Sequence, residues 1–224
     1  MELVADIRAY IEANLDYLPG FLLACEIVIE VTLLTIVLSW VFGLIAALAK
    51  SAPYRLIRLP AEFYIWFVRG TPTLIQIFMI YFGLPQLGLR LPPFLAGVVA
   101  LALNEGAYIA EIVRSGLGAI PRGQRESAVA LGMSSFQSLR RIIIPQVIRI
   151  TLPALTNEAI TTLKNTSLLS TITVVELTLH TQMIIAQTFR PFEFYGLTAA
   201  LYLVMTTLLT RIARWLEKRY TLYI

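Results

Sequence analysis

Long apolar runs make up most of this chain, and short polar connections separate them. Five runs are long enough for a helix that crosses a bilayer, which takes about 20 mostly apolar residues. We predict these spans at about 20–48, 61–84, 93–113, 150–177 and 192–212. The short alternating segments of a membrane β-barrel are not the pattern here. The sequence therefore predicts an all-α polytopic membrane protein.

The first 19 residues have a different pattern, in which acidic side chains accompany apolar ones. Apolar residues recur there at helical spacing, at Leu3, Ile7, Ile11 and Leu15. A secretory signal would begin with a positively charged region, whereas this segment is mainly acidic. We expect an amphipathic segment over 1–19 at the membrane surface, followed by a single transmembrane domain over 20–224.

The composition excludes several kinds of site. Charged residues make up 14% of the chain, against about 25% in soluble domains. One cysteine (Cys25) and one histidine (His180) cannot form an internal disulfide or a multi-histidine metal site, so we expect no metal. The net charge of +4 does not indicate a nucleic-acid partner, because the basic residues follow the membrane topology.

The distribution of lysine and arginine predicts the orientation. Basic residues concentrate in the cytoplasmic loops of membrane proteins. If the N-terminus is outside, the inner connections hold 13 of these residues and the outer ones hold 3. We therefore expect the N-terminus outside, the C-terminus in the cytoplasm, and the long polar connection over 114–149 on the cytoplasmic side.

This polar connection has the local chemistry of two short helices with a sharp turn between them. Pro121 suits a first helical position, and Gly132 can take the left-handed conformation that closes the first helix. Ser134 and Gln137 have capping-box spacing for the second helix, which we expect Pro145 to end. The apolar surface of this helical elbow consists of Ala128, Leu131, Met133, Phe136 and Leu139.

The elbow resembles the signature of the permeases of ABC importers. That signature is Glu-Ala-Ala, three residues, Gly, nine residues, Ile, one residue, an aliphatic residue and Pro. Here it reads Glu126, Ser127, Ala128, Gly132, Ile142, Ile144 and Pro145, with Ser127 as the one departure. The resemblance implies that the elbow is a coupling helix that docks on a cytoplasmic ATPase subunit. The alternative is that its apolar residues pack against the spans of this chain.

Four further segments resemble the polar amino-acid branch of these permeases, of the histidine/glutamine type. They are Arg69–Pro85, Asn104–Gly116, Leu152–Leu168 and Thr188–Glu193. The resemblance implies a five-helix type I permease core in the cytoplasmic (inner) membrane. It also implies two ATPase subunits, a second permease (the same chain or a homologue) and an external amino-acid-binding protein.

The chain itself is expected to be a transport subunit and not an enzyme. The phosphate-binding run GxxxxGK[ST] does not occur in the sequence. We therefore expect no cofactor in this chain, with ATP and magnesium bound by the partner ATPase.

Polar residues inside the spans are the candidates for substrate binding, because such groups usually face a protein interior or an aqueous path. Asn104, Glu105 and Tyr108 have spacing that places them on one side of a helix, and Glu158 and Asn165 share another face. Carboxylates can accept from the ammonium of an amino acid, and amides can donate to its carboxylate. The alternative is structural pairing, for instance between Glu158 and Lys164.

Three other features receive structural interpretations. We expect Glu26 and Glu30 to take part in helix packing or an ion pair. Arg69, Gly70 and Pro72 are expected to break the second span near its cytoplasmic start. His180 is expected at the surface, just beyond the fourth span.

Two other functional classes compete with an importer that works by alternating access. An intramembrane hydrolase could pair Ser167 or Ser170 with His180, but the GxSxG nucleophile motif is absent from the sequence. An ATP-independent channel or proton-coupled carrier could use the intramembrane glutamates, but it would leave the cytoplasmic signature unexplained.

Overall fold

The computed structural model describes residues 16–221, and all regular elements in this range are helical. The predicted amphipathic segment over 1–19 therefore lies almost wholly outside the described residues. The α-helices are α1 (Leu18–Lys50), α2 (Arg55–Gly70), α3 (Thr73–Phe78), α4 (Pro93–Gly118), α5 (Arg122–Ala130), α6 (Ser135–Ser138), α7 (Ile144–Asn165), α8 (Leu177–Thr188) and α9 (Pro191–Thr221). Short π and 3₁₀ turns continue α3, lead into α7 and follow it, over Met79–Gly83, Leu84–Leu87, Leu139–Ile143 and Thr166–Ile172.

Three helices, α1, α4 and α9, are each long and apolar enough to cross a membrane. They correspond to the first, third and fifth predicted spans. The second predicted span is a pair of helices with a break between them. The fourth predicted span, 150–177, covers α7 and the 3₁₀ turn, and it forms a bent pair with α8, which the prediction did not include. Counting each pair as one span gives five. The polytopic all-α fold is therefore confirmed, but two of its spans are not single helices.

The second span bends by 116° between α2 and the helical segment Thr73–Leu87. The break falls at Thr71 and Pro72, both in extended conformation, as expected for a proline and the residue before it. The sequence predicted the break at this place but put it near the start of the span. Instead, the 16 residues of α2 precede it, so the span has two arms of similar length.

The fourth span bends by 49° after α7. Hydroxyl groups follow one another here, and Thr166, Ser167, Ser170 and Thr171 each donate to the carbonyl three residues earlier. These bonds accompany the tighter 3₁₀ turn over Thr166–Ile172. Thr173 then takes a left-handed conformation, with φ of 67°, and α8 begins at Leu177 in a new direction.

Helix α4 is the central helix, and α1 packs along it more extensively than any other pair of elements does. The two helices cross where Gly43 meets Gly106. A Cβ atom on Gly43 would lie 3.0 Å from the Gly106 carbonyl oxygen and 2.6 Å from Ile109. Small residues let membrane helices approach this closely. The contact fixes the position of the polar residues that α4 carries on either side of Gly106.

Two interpretations of polar residues are wrong. His180 is partly buried rather than on the surface: its ring lies edge-on to Phe21 at 5.1 Å and covers Gly20. Glu26 and Glu30 lie on the exposed face of α1, and no ion pair joins them to any residue within 16–221. The sequence could not distinguish these outcomes, because they depend on which side of α1 the later helices cover.

Candidate functional site

The helical elbow has the predicted caps. Gly132 is left-handed, with φ of 72°, and ends α5. The backbone N–H of Gln137 donates to Ser134 Oγ at 3.3 Å, and the backbone N–H of Ser134 donates to Gln137 Oε1 at 2.9 Å. This is the reciprocal capping box that the spacing predicted. Pro121 lies one residue before the helix rather than at its first position.

Pro145 does not end the second helix of the elbow. It lies in the first turn of α7, directly after a π-helical turn, a position where a proline is tolerated. The π-helical turn Leu139–Ile143 joins α6 to α7 without a break. The elbow is therefore continuous with the long helix that carries Glu158 and Asn165.

The predicted apolar surface of the elbow is mostly exposed. Leu131 and Phe136 are 78% and 68% exposed, and Leu139 is also exposed. Met133 is partly buried, and it lines with Leu139 a recess of about 410 Å³ between α5 and α6. Ala128 is fully buried, so its prediction as a docking residue is wrong: this side chain packs inside the chain. The first two signature positions, Glu126 and Ser127, are exposed.

A second group of predicted residues meets inside the helical bundle. Glu105 of α4 is only 2% exposed. Its Oε1 accepts from Asn165 Nδ2 at 3.4 Å, and its Oε2 has no hydrogen-bond partner among the described residues. The carboxyl group of Glu158 lies close enough to interact with that of Glu105. Two carboxyl groups and one amide from α4 and α7 therefore converge; we call them the carboxyl pair and its amide.

The carboxyl pair lines a small cavity of about 20 Å³ between α1, α4 and α7. Ser39 and Thr162 contribute hydroxyl groups to its wall, and Trp40 contributes an aromatic side chain. This volume suffices for about one water molecule and not for an amino acid. In this conformation the site is therefore closed. Sequence reasoning missed Ser39, a single hydroxyl in an apolar run, and Thr162, one of several threonines in the polar stretch around Glu158.

The structure separates Asn104 and Tyr108 from this cavity. Asn104 Nδ2 donates to Gln76 Oε1 at 3.0 Å, and Gln76 Nε2 donates to the Val68 carbonyl at 2.8 Å. Asn104 thus stabilises the break between α2 and α3. Tyr108 lies under the Arg69 guanidinium, 5.5 Å from it, in a different cavity. The signal for Gln76, also missed, was a single amide in the apolar run from Leu74 to Tyr81.

The proposed pairing of Glu158 with Lys164 is not formed in the described part of the chain. The two positions lie six residues apart on α7, which places them on different sides of the helix. The neighbour of Glu158 is another carboxyl group and not a cation.

Comparison with known proteins adds an independent result. Residues 20–222 match the family described as binding-protein-dependent transport system inner membrane component. The chain belongs to this family. The permease is 40% identical over 184 residues to a probable amino-acid ABC transporter permease protein of Bacillus subtilis, covering 82% of this chain and 81% of that one. It is 38% identical over 204 residues to the glutamine transport system permease protein of Escherichia coli, covering 90% and 93%.

Among solved structures, the permease is similar to a crystal structure of an amino acid ABC transporter with histidines. The TM-score is 0.87 and the identity 40%, over 92% of this chain and 97% of that one. The family confirms a type I permease fold and a transport component of the inner membrane rather than an enzyme. Membership of this family favours neither an intramembrane hydrolase nor an ATP-independent channel or carrier. Its members work with binding proteins and with separate ATPase subunits.

Proposed function

We propose that the permease forms the membrane path of an ATP-driven importer for polar L-amino acids, including basic ones. The observation that carries this proposal is the carboxyl pair. Glu105 and Glu158 face each other inside the bundle, and neither has a cationic partner among the described residues. Charged groups at this depth usually serve a transported solute or pair with each other.

The chemistry of the pair fits one end of an amino acid. An ammonium group donates three hydrogen bonds, and its positive charge can balance the two neighbouring carboxyl groups. Asn165 can donate to the substrate carboxylate, since its amide already points at this group of residues. A guanidinium or second ammonium on the substrate side chain suits the remaining carboxylate oxygens. The relatives named for glutamine and for amino acids are consistent with this class of substrate.

Transport requires the helices around the closed cavity to move apart. A volume of about 20 Å³ must grow several-fold before an amino acid fits. Alternating access provides this growth if the carboxyl pair opens first to the outside and then to the inside. An external binding protein supplies the amino acid, and a second permease, identical or homologous, completes the path.

The exposed elbow is the proposed contact with the ATPase. Leu131 and Phe136 form an apolar surface of the kind that marks an interaction site. One ATPase subunit, with its ATP and magnesium, docks on each of two permeases. In this arrangement the connection over 114–149 lies in the cytoplasm, the N-terminus is outside, and 20–224 acts as one permease domain.

The test is uptake by proteoliposomes that contain the permease, its ATPase and its binding protein. We expect ATP-dependent uptake of one or more polar amino acids. Leu131→Asp should lower uptake at least about 10-fold, because a charge replaces a central docking residue. Leu131→Met keeps the apolar surface and should retain uptake. Glu158→Gln should lower uptake roughly 10- to 100-fold through loss of a charged hydrogen bond, whereas Glu26→Gln on the exposed face of α1 should not.

Two results would contradict the proposal. Uptake that continues when the ATPase is catalytically inactive would favour the channel or carrier. Equal uptake by Glu158→Gln and Glu26→Gln would remove the carboxyl pair from the substrate path, and it would leave the coupling role of the elbow standing.

A further inference from the structure

A third cavity lies where α1, α2 and α4 come together, apart from the elbow and from the carboxyl pair. Its volume is about 460 Å³. Its polar and aromatic lining consists of Lys50, Glu62, Trp66, Arg69, Tyr108 and Glu111. Neither the docking of an ATPase nor the binding of a transported amino acid, as proposed above, uses these side chains.

The position of Lys50 gives the depth of this cavity in the membrane. The 19 residues from 31 to 49 of α1 carry no charge. As a helix they span about 28 Å, which matches the roughly 30 Å hydrocarbon core of a bilayer. Lys50 is the first charged residue after this stretch and therefore lies at the level of the lipid headgroups. In the proposed orientation this is the cytoplasmic leaflet.

The charges around the cavity leave hydrogen-bond donors available. Lys50 Nζ lies 2.5 Å from Glu111 Oε1, and Arg114 and Arg69 lie 2.8 and 3.7 Å from Glu111 Oε2. One carboxylate cannot neutralise three cations. Lys50 and Arg69 line the cavity, and their side chains carry three and five N–H donors respectively. The Tyr108 ring holds the Arg69 guanidinium in place. Carboxylate and phosphate groups are the acceptors that suit such a pair of cations.

An exposed apolar stripe on α2 leads to the cavity. Leu56, Leu59, Phe63 and Trp66 are all exposed and recur at helical spacing, while Ala61, Ile65 and Val68 on the other side are buried. Trp66, which is 70% exposed, belongs both to the stripe and to the cavity wall. Tryptophan is enriched at the headgroup level of membranes. An apolar track that ends at paired cations matches a phospholipid, with its acyl chains on the track.

We propose that this cavity is a phospholipid site, in which Lys50 and Arg69 bind the phosphate. Glu62 faces the same cavity and is only loosely paired, 3.5 Å from Arg58. It accepts from the ammonium of the headgroup, so the site takes a lipid of the phosphatidylethanolamine type. Because α2, α4 and the end of α1 all contribute, the bound lipid holds the bent second span against the central helix.

The test is lipid retention by the purified permease–ATPase complex, measured by native mass spectrometry. Phosphatidylethanolamine and phosphatidylglycerol are titrated in parallel. Arg69→Gln should weaken retention of phosphatidylethanolamine on the order of 10-fold, because a charge-assisted hydrogen bond is lost. Trp66→Ala should also weaken it. Arg55→Gln removes the same charge from the same helix outside the cavity and should leave retention unchanged. Glu62→Gln should abolish the preference for the ethanolamine lipid.

Arg69→Gln is a fair test because Lys50 and Arg114 still bond Glu111, and the ATPase activity of the complex verifies its folding. Equal retention by Arg69→Gln, Arg55→Gln and wild type would overturn the proposal. So would displacement of the lipid by inorganic phosphate at the same concentration, which would indicate a site for the free anion. Disulfide cross-linking between Trp66→Cys side chains of two permeases, in a Cys25→Ser background, would show that a second permease covers the cavity instead.

Discussion

Two carboxyl groups on the central helix, Glu105 and Glu111, lie six residues apart and have opposite surroundings. Glu111 interacts with Lys50, Arg69 and Arg114. Glu105 receives one long hydrogen bond from Asn165, and its other neighbour is the carboxyl group of Glu158. Glu111 is therefore fully satisfied by its own chain, whereas Glu105 lacks a positive partner.

The difference teaches how to interpret an acidic residue in a membrane helix. In the sequence Glu105 and Glu111 look alike, because each is an acidic side chain in a mostly apolar helix. Their roles differ because different groups surround the two carboxylates. A carboxylate completed by cations of its own chain holds helices together. A carboxylate that its own chain leaves incomplete is suited to a cation that arrives and departs. Substitutions at the two positions should accordingly have opposite effects on stability and transport.

The largest effect on stability is expected for Glu111→Ala. The change leaves Lys50, Arg69 and Arg114 close together without their common acceptor, and we expect a loss of about 2–3 kcal/mol. The thermal unfolding midpoint of the solubilised permease–ATPase complex reports it. Glu26→Ala is the matched control, since this exposed carboxylate of α1 takes part in no ion pair within residues 16–221 and its removal should change stability by under about 0.5 kcal/mol. Equal shifts for both variants would show that Glu111 is not a structural centre.

A smaller loss of stability is expected for Asn104→Ala. It leaves Gln76 Oε1 buried without its donor, at an expected cost of about 1–2 kcal/mol. The same unfolding midpoint measures it, and Asn157→Ala, at an exposed position of α7, serves as control. If amino-acid uptake fell strongly while the midpoint stayed constant, Asn104 would belong to the substrate path after all.

The smallest effect on stability is expected for Glu105→Gln, within about 0.5 kcal/mol of wild type or slightly stabilising. The introduced amide can donate to the carboxyl group of Glu158, whereas in the wild type Glu158 faces a second carboxyl group. Uptake should nevertheless fall, and more for basic than for neutral amino acids. Glu111→Gln is the control and should show the reverse, with a lower unfolding midpoint and retained substrate preference. Marked unfolding of Glu105→Gln would assign Glu105 a structural role.

Local sequence signals predicted local structure well. The spans α1 and α4, the left-handed Gly132 and the Ser134–Gln137 capping box follow from apolar length and from short-range chemistry. The break near Gly70 and Pro72 could also be predicted, since a proline acts on its own backbone and on the residue before it. Its angle of 116° could not, because the packing of Ile65 and Val68 against α1 and α4 decides the direction of α2.

The membership of the candidate site could be predicted only in part. Helical spacing placed Asn104, Glu105 and Tyr108 on one side of α4. That side contacts several neighbouring elements, so the three side chains do not meet in one site. Glu105 faces α7, Asn104 faces Gln76, and Tyr108 faces Arg69. Pro145 shows the same limit at the elbow. Its effect depends on whether it stands inside a helix or in its first turn, and the π-helical turn before it decides this.

The unbroken connection between the elbow and α7 has a mechanical consequence. From Ile144 to Glu158 the helix continues for about 21 Å, with Pro153 inside it as one point of weaker backbone hydrogen bonding. A tilt of about 10° at the elbow end displaces the Glu158 end by roughly 4 Å, more than the diameter of a water molecule. If the ATPase docks on the elbow as proposed, a modest rotation of the elbow can pull Glu158 away from Glu105 through α7 itself. The π-helical turn, with its looser hydrogen bonding, is the natural pivot of this lever.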